Sequence, residues 1–199
     1  YIAVVTMNNP PVNAQNRQFH DDLTLAFDVL SDRNDVRSIV LTGAGKCFSA
    51  GADIKGRASQ EYDLGDHWVH SRRVRECFYA IMECRKPVIA AINGAALGAG
   101  LAVAASADIL IASESASVGL PEINVGLLGG GRHSMRLFGH SKTRRLMLTG
   151  QRLSGAELYR LGIVEECVPD DDLMRAALEI AEELASKSPV AMSLAKETL

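Results

Sequence analysis

The sequence lacks several features that membrane proteins and nucleic-acid-binding proteins need. No apolar run reaches the ~18 residues required for a membrane span. Aromatic residues make up only 5% of the 199 residues, and Lys and Arg form no long stripe. A nucleic-acid platform uses positive charge and stacking rings, so this class of protein is not expected. No block of like charges indicates an acidic tail or a polybasic anchor, and we expect neither nucleic acid nor a membrane as a partner.

The four cysteines form no recognisable metal or disulfide pattern. Cys47, Cys77, Cys84 and Cys167 include no C-x-x-C pair, and no histidine lies at zinc-finger spacing from them. This usage predicts reduced structural thiols, no bound metal and a cytoplasmic type of compartment. No signal peptide is visible, but the chain starts in mid-pattern at Tyr1 without an initiator Met. A missing targeting segment, and with it an organellar matrix, therefore stays open.

The pattern that is present is that of a globular α/β protein. Hydrophobic residues make up 47% of the chain and charged residues 23%, with a net charge of −3. Short apolar runs bounded by Gly, Pro or Asn predict buried strands at residues 1–6, 38–42, 88–92, 107–112 and 116–119. Apolar residues at helical spacing predict helices at residues 16–30, around Val74, Phe78 and Ile81, at 101–107 and at 171–184. We expect an α/β core over residues 1–140 and a helical portion over residues 141–199.

Two glycine-bearing turns are the most informative part of the sequence. One covers residues 47–55 and the other residues 93–102, each after a predicted strand. A strand followed by a tight glycine turn leaves backbone N–H groups free to bind an anion or an oxyanion. The alternative is that these glycines serve only close packing. Neither turn has the spacing of a phosphate loop or of a dinucleotide-binding loop.

Glu122 is the acid with the most apolar surroundings. Its aliphatic neighbours in residues 118–125 would raise the pKa of its carboxyl, which suits an acid/base catalyst. The simpler interpretation is a carboxylate in the first turn of a helix that begins at Pro121. Residues 129–133 (Gly-Gly-Gly-Arg-His) are predicted to be a flexible loop. His133 on that loop either shuttles protons or lies at the surface, and the pattern alone favours the surface.

With these motifs in order, the sequence resembles the enoyl-CoA hydratase/isomerase family, also called the crotonase superfamily. Residues 48–55 match the first oxyanion turn of the family, and residues 86–94 with 96–100 match the second. The resemblance covers essentially the whole chain, and it continues through residues 107–109, 121–126, 148–157, 161–164 and 191–197. Colinear motifs of this number are a far more specific signal than any one of them.

The resemblance implies a fold, an assembly and a class of substrate. The fold would be a spiral of β-β-α turns with a helical C-terminal trimerisation region, and residues 141–199 would stop before the final helix. The assembly would be a homotrimer or a dimer of trimers. The substrate would be an acyl-CoA thioester without a separate cofactor, since coenzyme A is part of the substrate.

The resemblance also assigns site residues by motif position. The backbone amides of Ala52 and Ala99 would hold the thioester oxygen as it becomes an enolate. The path of coenzyme A would follow Ala50, Ala52, Asp53, Ile54 and Lys55, and Ala99 would contact the substrate as well. Residues 62–69 would form a wall of the acyl pocket.

The catalytic acids depart from the pattern of the family. Typical hydratases use two glutamates; the second corresponds to Glu122, and the first position holds Ala102, which cannot transfer a proton. A single glutamate resembles the enoyl-CoA isomerases of the family, although some hydratases of aromatic enoyl-CoAs also lack the first. Arg132 and His133 would lie near the acyl end, where His133 is an auxiliary candidate.

Several functions therefore remain open at this point. Hydration of a 2-enoyl-CoA and isomerisation of an enoyl-CoA both fit an enolate held by two amides. Thioester hydrolysis or decarboxylation is another enolate reaction, and His133 could divert the chemistry towards it. A non-catalytic, RNA-binding or structural relative is the remaining class, against which Glu122 and the two oxyanion turns argue.

Overall fold

The computed structural model describes residues 1–58 and 63–199. The strands are β1 Ile2–Met7, β2 Ser38–Gly43, β3 Cys47–Ser49, β4 Val88–Ile92, β5 Ala95–Leu97, β6 Ile109–Ser113, β7 Ser117–Gly119, β8 Arg152–Ser154 and β9 Cys167–Val168. The α-helices are α1 Arg17–Asp32, α2 Ile54–Ala58, α3 Leu64–Met82, α4 Ala99–Ala104, α5 Gly131–Leu137, α6 His140–Thr149, α7 Gly155–Arg160, α8 Leu173–Ala185 and α9 Pro189–Glu197. Pro121–Val125 and Asp170–Asp172 form 3₁₀ turns.

The strands form two sheets that share one repeated pattern. One sheet is parallel throughout, in the order β1-β2-β4-β6-β9. The other has the order β3-β5-β7-β8, and only β8 runs antiparallel to its neighbour. The pairs β2–β3, β4–β5 and β6–β7 each give one strand to each sheet. This arrangement confirms the predicted α/β spiral of β-β-α turns.

Both faces of the larger sheet are covered. Every residue of β2 and β4 is buried, which explains why these strands are continuous apolar runs rather than alternating ones. Helix α8 packs on one face, where Ala177 belongs to the same buried cluster as Val40 and Ile111. The other face holds the larger core cluster. This rigid core carries the loops at the ends of β3 and β5.

The predicted long elements are confirmed with small shifts at their ends. Helix α1 begins at Arg17 because the Asn16 side chain accepts a hydrogen bond from the Phe19 amide and caps it. The helix predicted at residues 101–107 instead begins at Ala99 and ends at Ala104. Strands β3, β5, β8 and β9 were not predicted, since runs of two or three residues carry no periodic signal.

The cysteines form no disulfide among the described residues. All four cysteines are free, three of them are buried, and burial raises the pKa of the Cys77 thiol to about 12. A thiol with such a pKa stays protonated and unreactive at neutral pH, as expected of a structural residue. Within residues 1–58 and 63–199, no helix is both long and apolar enough to cross a membrane.

Candidate active site

The first glycine turn follows β3 and is fixed to the segment that precedes α1. The Gln15 amide donates to the Gly51 carbonyl at 2.8 Å, and the Gln15 carbonyl accepts from the Asp53 amide at 3.1 Å. Ala52 lies between these two bonds, in an isolated parallel bridge with Gln15. Both bonds of the bridge join Gln15 to the neighbours of Ala52, so Ala52 uses neither its own N–H nor its own C=O in the bridge. The Ala52 amide therefore points away from Gln15.

The second glycine turn joins β5 to α4. Gly98 adopts φ 56° and ψ −118°, a backbone conformation that favours glycine, and its amide donates to the Gly119 carbonyl at 2.9 Å. Ala99 is the first residue of α4, and first-turn amides of a helix have no acceptor within that helix. The Ala99 amide is thus presented at the end of β5.

The two turns lie in contact with one another. A Cβ atom built on Gly51 would lie 2.5 Å from the Leu97 carbonyl oxygen and 3.2 Å from the Ala99 nitrogen. A Cβ atom built on Gly100 would overlap the Ser49 carbonyl oxygen. Both glycines therefore permit an approach that no side chain allows. The two glycine turns therefore pack directly against each other, with Gly51 beside the backbone nitrogen of Ala99.

A cavity of about 580 Å³ opens beside these turns. Five of the predicted site residues line it together with the auxiliary candidate: Ala50, Ala52, Ile54, Ala99, Glu122 and His133. Asp53 and Lys55 are not among its described lining residues. The Asp53 carboxylate instead accepts a hydrogen bond from the Gly56 amide at 2.9 Å, and Lys55 is exposed.

The wall predicted at residues 62–69 is placed differently. Tyr62 lies outside the described residues. None of residues 63–69 is among the described lining residues of the cavity, and all of them are exposed. Helix α3 reaches the cavity one to three turns later, through Val74 and Phe78. The helical spacing of these two residues is that of a core helix, so the sequence gives no sign that they face a ligand.

Glu122 reaches the cavity from the 3₁₀ turn Pro121–Val125, so it does occupy the first turn of a helix. A Cβ atom on Gly98 would overlap its Oε1, which places the carboxylate beside the second turn. Its Oε2 is buried and has no hydrogen-bond partner among the described residues. Burial raises the pKa of this carboxyl, and a hydrogen bond from its own backbone amide lowers it by less. A partly desolvated carboxylate with one oxygen unpaired can accept and return a proton.

The sequence predicts His133 on a flexible surface loop, but in the structure His133 lies in a helix. Helix α5 begins at Gly131 and carries His133 into the cavity wall, where its ring contacts Phe78 edge to face, with centroids 4.7 Å apart. Its Nδ1 atom is buried and has no hydrogen-bond partner in the described part of the chain. Burial lowers the pKa of His133, and Arg136 and Arg132 lower it further. The imidazole is therefore neutral at neutral pH.

Ala102 also lines the cavity, at the position where the resemblance leads us to expect the first glutamate of a hydratase. It is 1% exposed, and its methyl group has no proton to transfer. Of the described residues that line the cavity, Glu122 alone carries a carboxylate. Asn124 and Arg152 add polar groups that motif reasoning missed. No cluster of metal-ligand side chains occurs in residues 1–58 or 63–199.

The fold and the site together define a class of enzyme. Comparison with known sequences places the chain in it: the chain belongs to the enoyl-CoA hydratase/isomerase family, whose sequence model matches residues 1–199. It is an enzyme of this family, as the sequence predicts.

Individual relatives carry different reaction names. A probable mitochondrial enoyl-CoA hydratase of Dictyostelium discoideum is 36% identical over 202 residues, which cover 100% of this chain and 72% of the relative. A (7aS)-7a-methyl-1,5-dioxo-2,3,5,6,7,7a-hexahydro-1H-indene-carboxyl-CoA hydrolase of Mycobacterium tuberculosis is 38% identical, with 100% of this chain and 80% of the relative covered. The solved structure of a monofunctional enoyl-CoA isomerase from M. smegmatis has a TM-score of 0.83 and 31% identity, and the match covers 99% of this chain and 86% of that one.

Proposed function

We propose that this enzyme moves a double bond in an enoyl-CoA, converting a 3-enoyl-CoA to a 2-enoyl-CoA. The observation that carries the proposal is the single carboxylate of the cavity. Glu122 has a raised carboxyl pKa and no partner on Oε2, while the other expected acid position holds Ala102. Isomerisation needs one group that takes and returns a proton. Hydration needs an added water as well.

In this proposal the two turns stabilise the intermediate. The amides of Ala52 and Ala99 donate hydrogen bonds to the thioester oxygen, and these bonds strengthen as the oxygen becomes negative. Coenzyme A follows the first turn past Ala50 and Ile54, which line the cavity, and along Asp53 and Lys55, which are not among its described lining residues. No metal or separate cofactor takes part in the proposed chemistry.

The proposed reaction balances with Glu122 as the only proton carrier. The Glu122 carboxylate removes a proton from C2, and the electron pair moves into a dienolate whose oxygen is held by the two amides. The resulting carboxylic acid gives the same proton to C4, so that the double bond lies between C2 and C3. The raised carboxyl pKa makes Glu122 a better base than an exposed glutamate.

Hydration of a 2-enoyl-CoA is the second candidate, and His133 favours it. Its buried Nδ1 has no partner among the described residues, and it lines the same cavity as Glu122. A neutral imidazole or a bound water would complete the proton transfers, with Glu122 deprotonating the water that adds to C3 and delivering a proton to C2. The hydratase names of relatives support this alternative, and the hydrolase relative supports another enolate reaction.

A paired assay separates the two candidates. The purified protein is incubated with a 3-enoyl-CoA and, separately, with the corresponding 2-enoyl-CoA, while the absorbance of the conjugated thioester is followed. We expect the absorbance to rise with the 3-enoyl-CoA and to change little with the 2-enoyl-CoA. A fall with the 2-enoyl-CoA and no change with the 3-enoyl-CoA would assign hydration instead.

We also propose a homotrimer or a dimer of trimers in the cytoplasm, with the reduced cysteines favouring that compartment. Large apolar side chains are exposed on the helical portion after Arg144, among them Leu148, Val190 and Leu194 at 73%, 68% and 57%. Association would remove this surface from water. Light scattering on the intact protein should give the mass of a trimer or a hexamer. A stable monomer at micromolar concentration would contradict this part of the proposal.

A further inference from the structure

A group of buried polar side chains forms hydrogen bonds with the first glycine turn, and none of them is among the described lining residues of the cavity. We call Asn13, Gln15, His20 and Ser49 the Gln15 network; their exposed fractions are 1%, 2%, 2% and 0%. Polar groups this deeply buried are unfavourable unless hydrogen bonds satisfy them. The hydrogen bonds of this network involve Ser49 and Gly51 of the first turn, so the network can fix the conformation of that turn.

Ser49 is the centre of this network, and all its hydrogen-bonding capacity is used. Its hydroxyl donates to the Asn13 carbonyl at 2.7 Å and accepts from the Gly51 amide at 3.3 Å. The Gln15 side-chain amide donates to the same oxygen at 3.1 Å. One donor and two acceptor sites are thus occupied, which is the full capacity of a hydroxyl.

Gln15 contacts the turn through three hydrogen bonds. Its backbone N–H donates to the Gly51 carbonyl, and its backbone carbonyl accepts from the Asp53 amide, so these two bonds lie on either side of Ala52. Its side-chain amide donates to the Ser49 hydroxyl. Rotation of the Ala52 amide away from the cavity would therefore break backbone bonds on both sides. Hydrophobic packing alone could not set this orientation, since it is not directional.

Ser49 determines which way the Gln15 amide points, and His20 contacts the other end of that amide. Its Nε2 lies 3.3 Å from Oε1 of Gln15. Because the Ser49 hydroxyl proton is already given to the Asn13 carbonyl, Gln15 must present its NH₂ group to Ser49 and its oxygen to His20. His20 then donates from Nε2. Its ring stands edge to face with that of His70 at 6.1 Å, which ties the network to α3.

The network also touches the second turn. The Ser49 carbonyl oxygen occupies the space that a Cβ atom of Gly100 would take. Ser49 thus contacts both turns, and its position sets the separation between them. An oxyanion hole is effective only when its donors are already placed about 2.7–3.1 Å from the developing charge.

We propose that Gln15 is a positioning residue that holds the Ala52 amide in place for the enolate oxygen, with His20 holding Gln15. This inference rests on the proposed role of the Ala52 and Ala99 amides. It adds buried side chains to the two backbone amides that carry that role. Gln15 and Asn13 are 34 and 36 residues away in sequence from Ser49, the strand residue with which they form hydrogen bonds. Loss of the network should weaken enolate stabilisation more than substrate binding.

The test uses acetoacetyl-CoA, a β-keto thioester whose enolate has its own near-ultraviolet absorbance. Gln15→Met keeps the length of the side chain and removes both side-chain hydrogen bonds. We expect the bound enolate fraction to fall and kcat to drop about tenfold or more, with KM within about twofold. Gln18→Met is the matched control, since Gln18 is exposed and its side chain bonds to Asp22 outside the network; both readouts should stay at wild-type values.

A second pair of variants covers the case in which Gln15→Met does not fold. His20→Gln keeps a donor near the position of Nε2, whereas His20→Leu removes it, and Gln15 is intact in both. We expect His20→Gln to retain most of the enolate signal and His20→Leu to lose it. Folded Gln15→Met or His20→Leu protein with wild-type enolate fraction and kcat overturns the inference.

The same experiment separates this inference from the proposed function. If the wild-type protein forms no enolate with acetoacetyl-CoA, the oxyanion role of the two turns fails, and the inference fails with it. If the enolate forms but 3-enoyl-CoA is not isomerised, the assigned reaction is wrong. In that case the response of the enolate to Gln15→Met still decides whether Gln15 positions the amide.

Discussion

The two walls of the cavity are held in very different ways. The amide wall, formed by the two glycine turns, follows strands of a sheet and rests on fully buried side chains such as Phe48 and Ser49. The acid wall, formed by residues 121–133, is a 3₁₀ turn, a loop and the start of α5. No residue of Pro121–Val125 is buried, and Leu128 is 87% exposed.

The contrast suggests how chemistry is divided within this fold. The amide wall offers backbone groups whose positions follow from strand pairing and from the buried Gln15 network, so substitutions of its exposed side chains change it little. The acid wall offers side chains from a lightly packed segment, where substitutions alter the reaction at small structural cost. Relatives with the names hydratase, hydrolase and isomerase fit this division.

The largest expected effect comes from the acid wall. Glu122→Gln keeps the shape of the side chain and removes its ionisable group. A general acid/base contributes about 10²–10⁴-fold to the rate, so kcat should fall at least about a hundredfold while binding of the CoA thioester changes little. Steady-state kinetics with a 3-enoyl-CoA and a binding measurement give the two numbers.

Glu165→Gln is the matched control for this prediction. Glu165 is exposed and is not a lining residue of the cavity, so the same loss of charge should leave kcat unchanged. If Glu122→Gln retains wild-type turnover, Glu122 serves only to start its 3₁₀ turn. His133 then becomes the leading catalytic candidate.

The amide wall is tested by adding a methyl group to Gly98. Gly98→Ala meets both a positive φ and the Glu122 carboxylate, so the turn or the Glu122 side chain must shift and kcat should fall about a hundredfold. Gly162→Ala has a similar φ of +67° but open space around it. It should lower the free energy of unfolding by about 1 kcal/mol and leave kcat intact. Equal effects of both variants on kcat would show that strain alone is responsible.

A carboxylate placed opposite Glu122 should shift the balance between reactions. Ala102→Glu restores the second acid at the position where typical hydratases have it. We expect the ratio of 2-enoyl-CoA hydration to 3-enoyl-CoA isomerisation to rise at least several-fold, because one positioned acid/base group contributes up to about 10²–10⁴-fold to a rate. Parallel assays on both substrates measure the ratio. An unchanged ratio in folded protein would mean that the missing carboxylate does not decide the reaction.

The smallest expected effect is on stability. The carboxyl pKa of Glu122 is higher in the folded protein than in the unfolded chain, so ionisation of Glu122 disfavours the folded state. This loss grows as the pH rises from the ordinary glutamate pKa to the raised one. The Tm of Glu122→Gln minus that of the wild type should therefore be more positive at pH 8 than at pH 4. A difference that does not vary with pH would contradict the raised pKa.

Sequence reasoning predicted the amide wall better than the acid wall. Glycines at 51, 98 and 100 follow strands at short spacing; Gly51 and Gly100 lie at backbone contacts that no side chain allows, and Gly98 adopts a positive φ. Three glycines close before His133 predict a surface loop. In the structure, Gly130 is instead the N-cap of α5, and this helix carries the imidazole of His133 into the wall of the cavity. Gln15 carries no local signal, since its partner Ser49 is distant in sequence and becomes its neighbour only through the strand bridge.

The most direct test of the central claim follows one hydrogen through the reaction. A 3-enoyl-CoA carrying two deuterons at C2 is converted in ordinary water, and the early product is analysed by mass spectrometry and NMR. If Glu122 alone takes and returns the proton, part of the deuterium lost from C2 is found at C4. Product that contains only protium from water at C4, even at the earliest times, would contradict transfer by a single carboxylate.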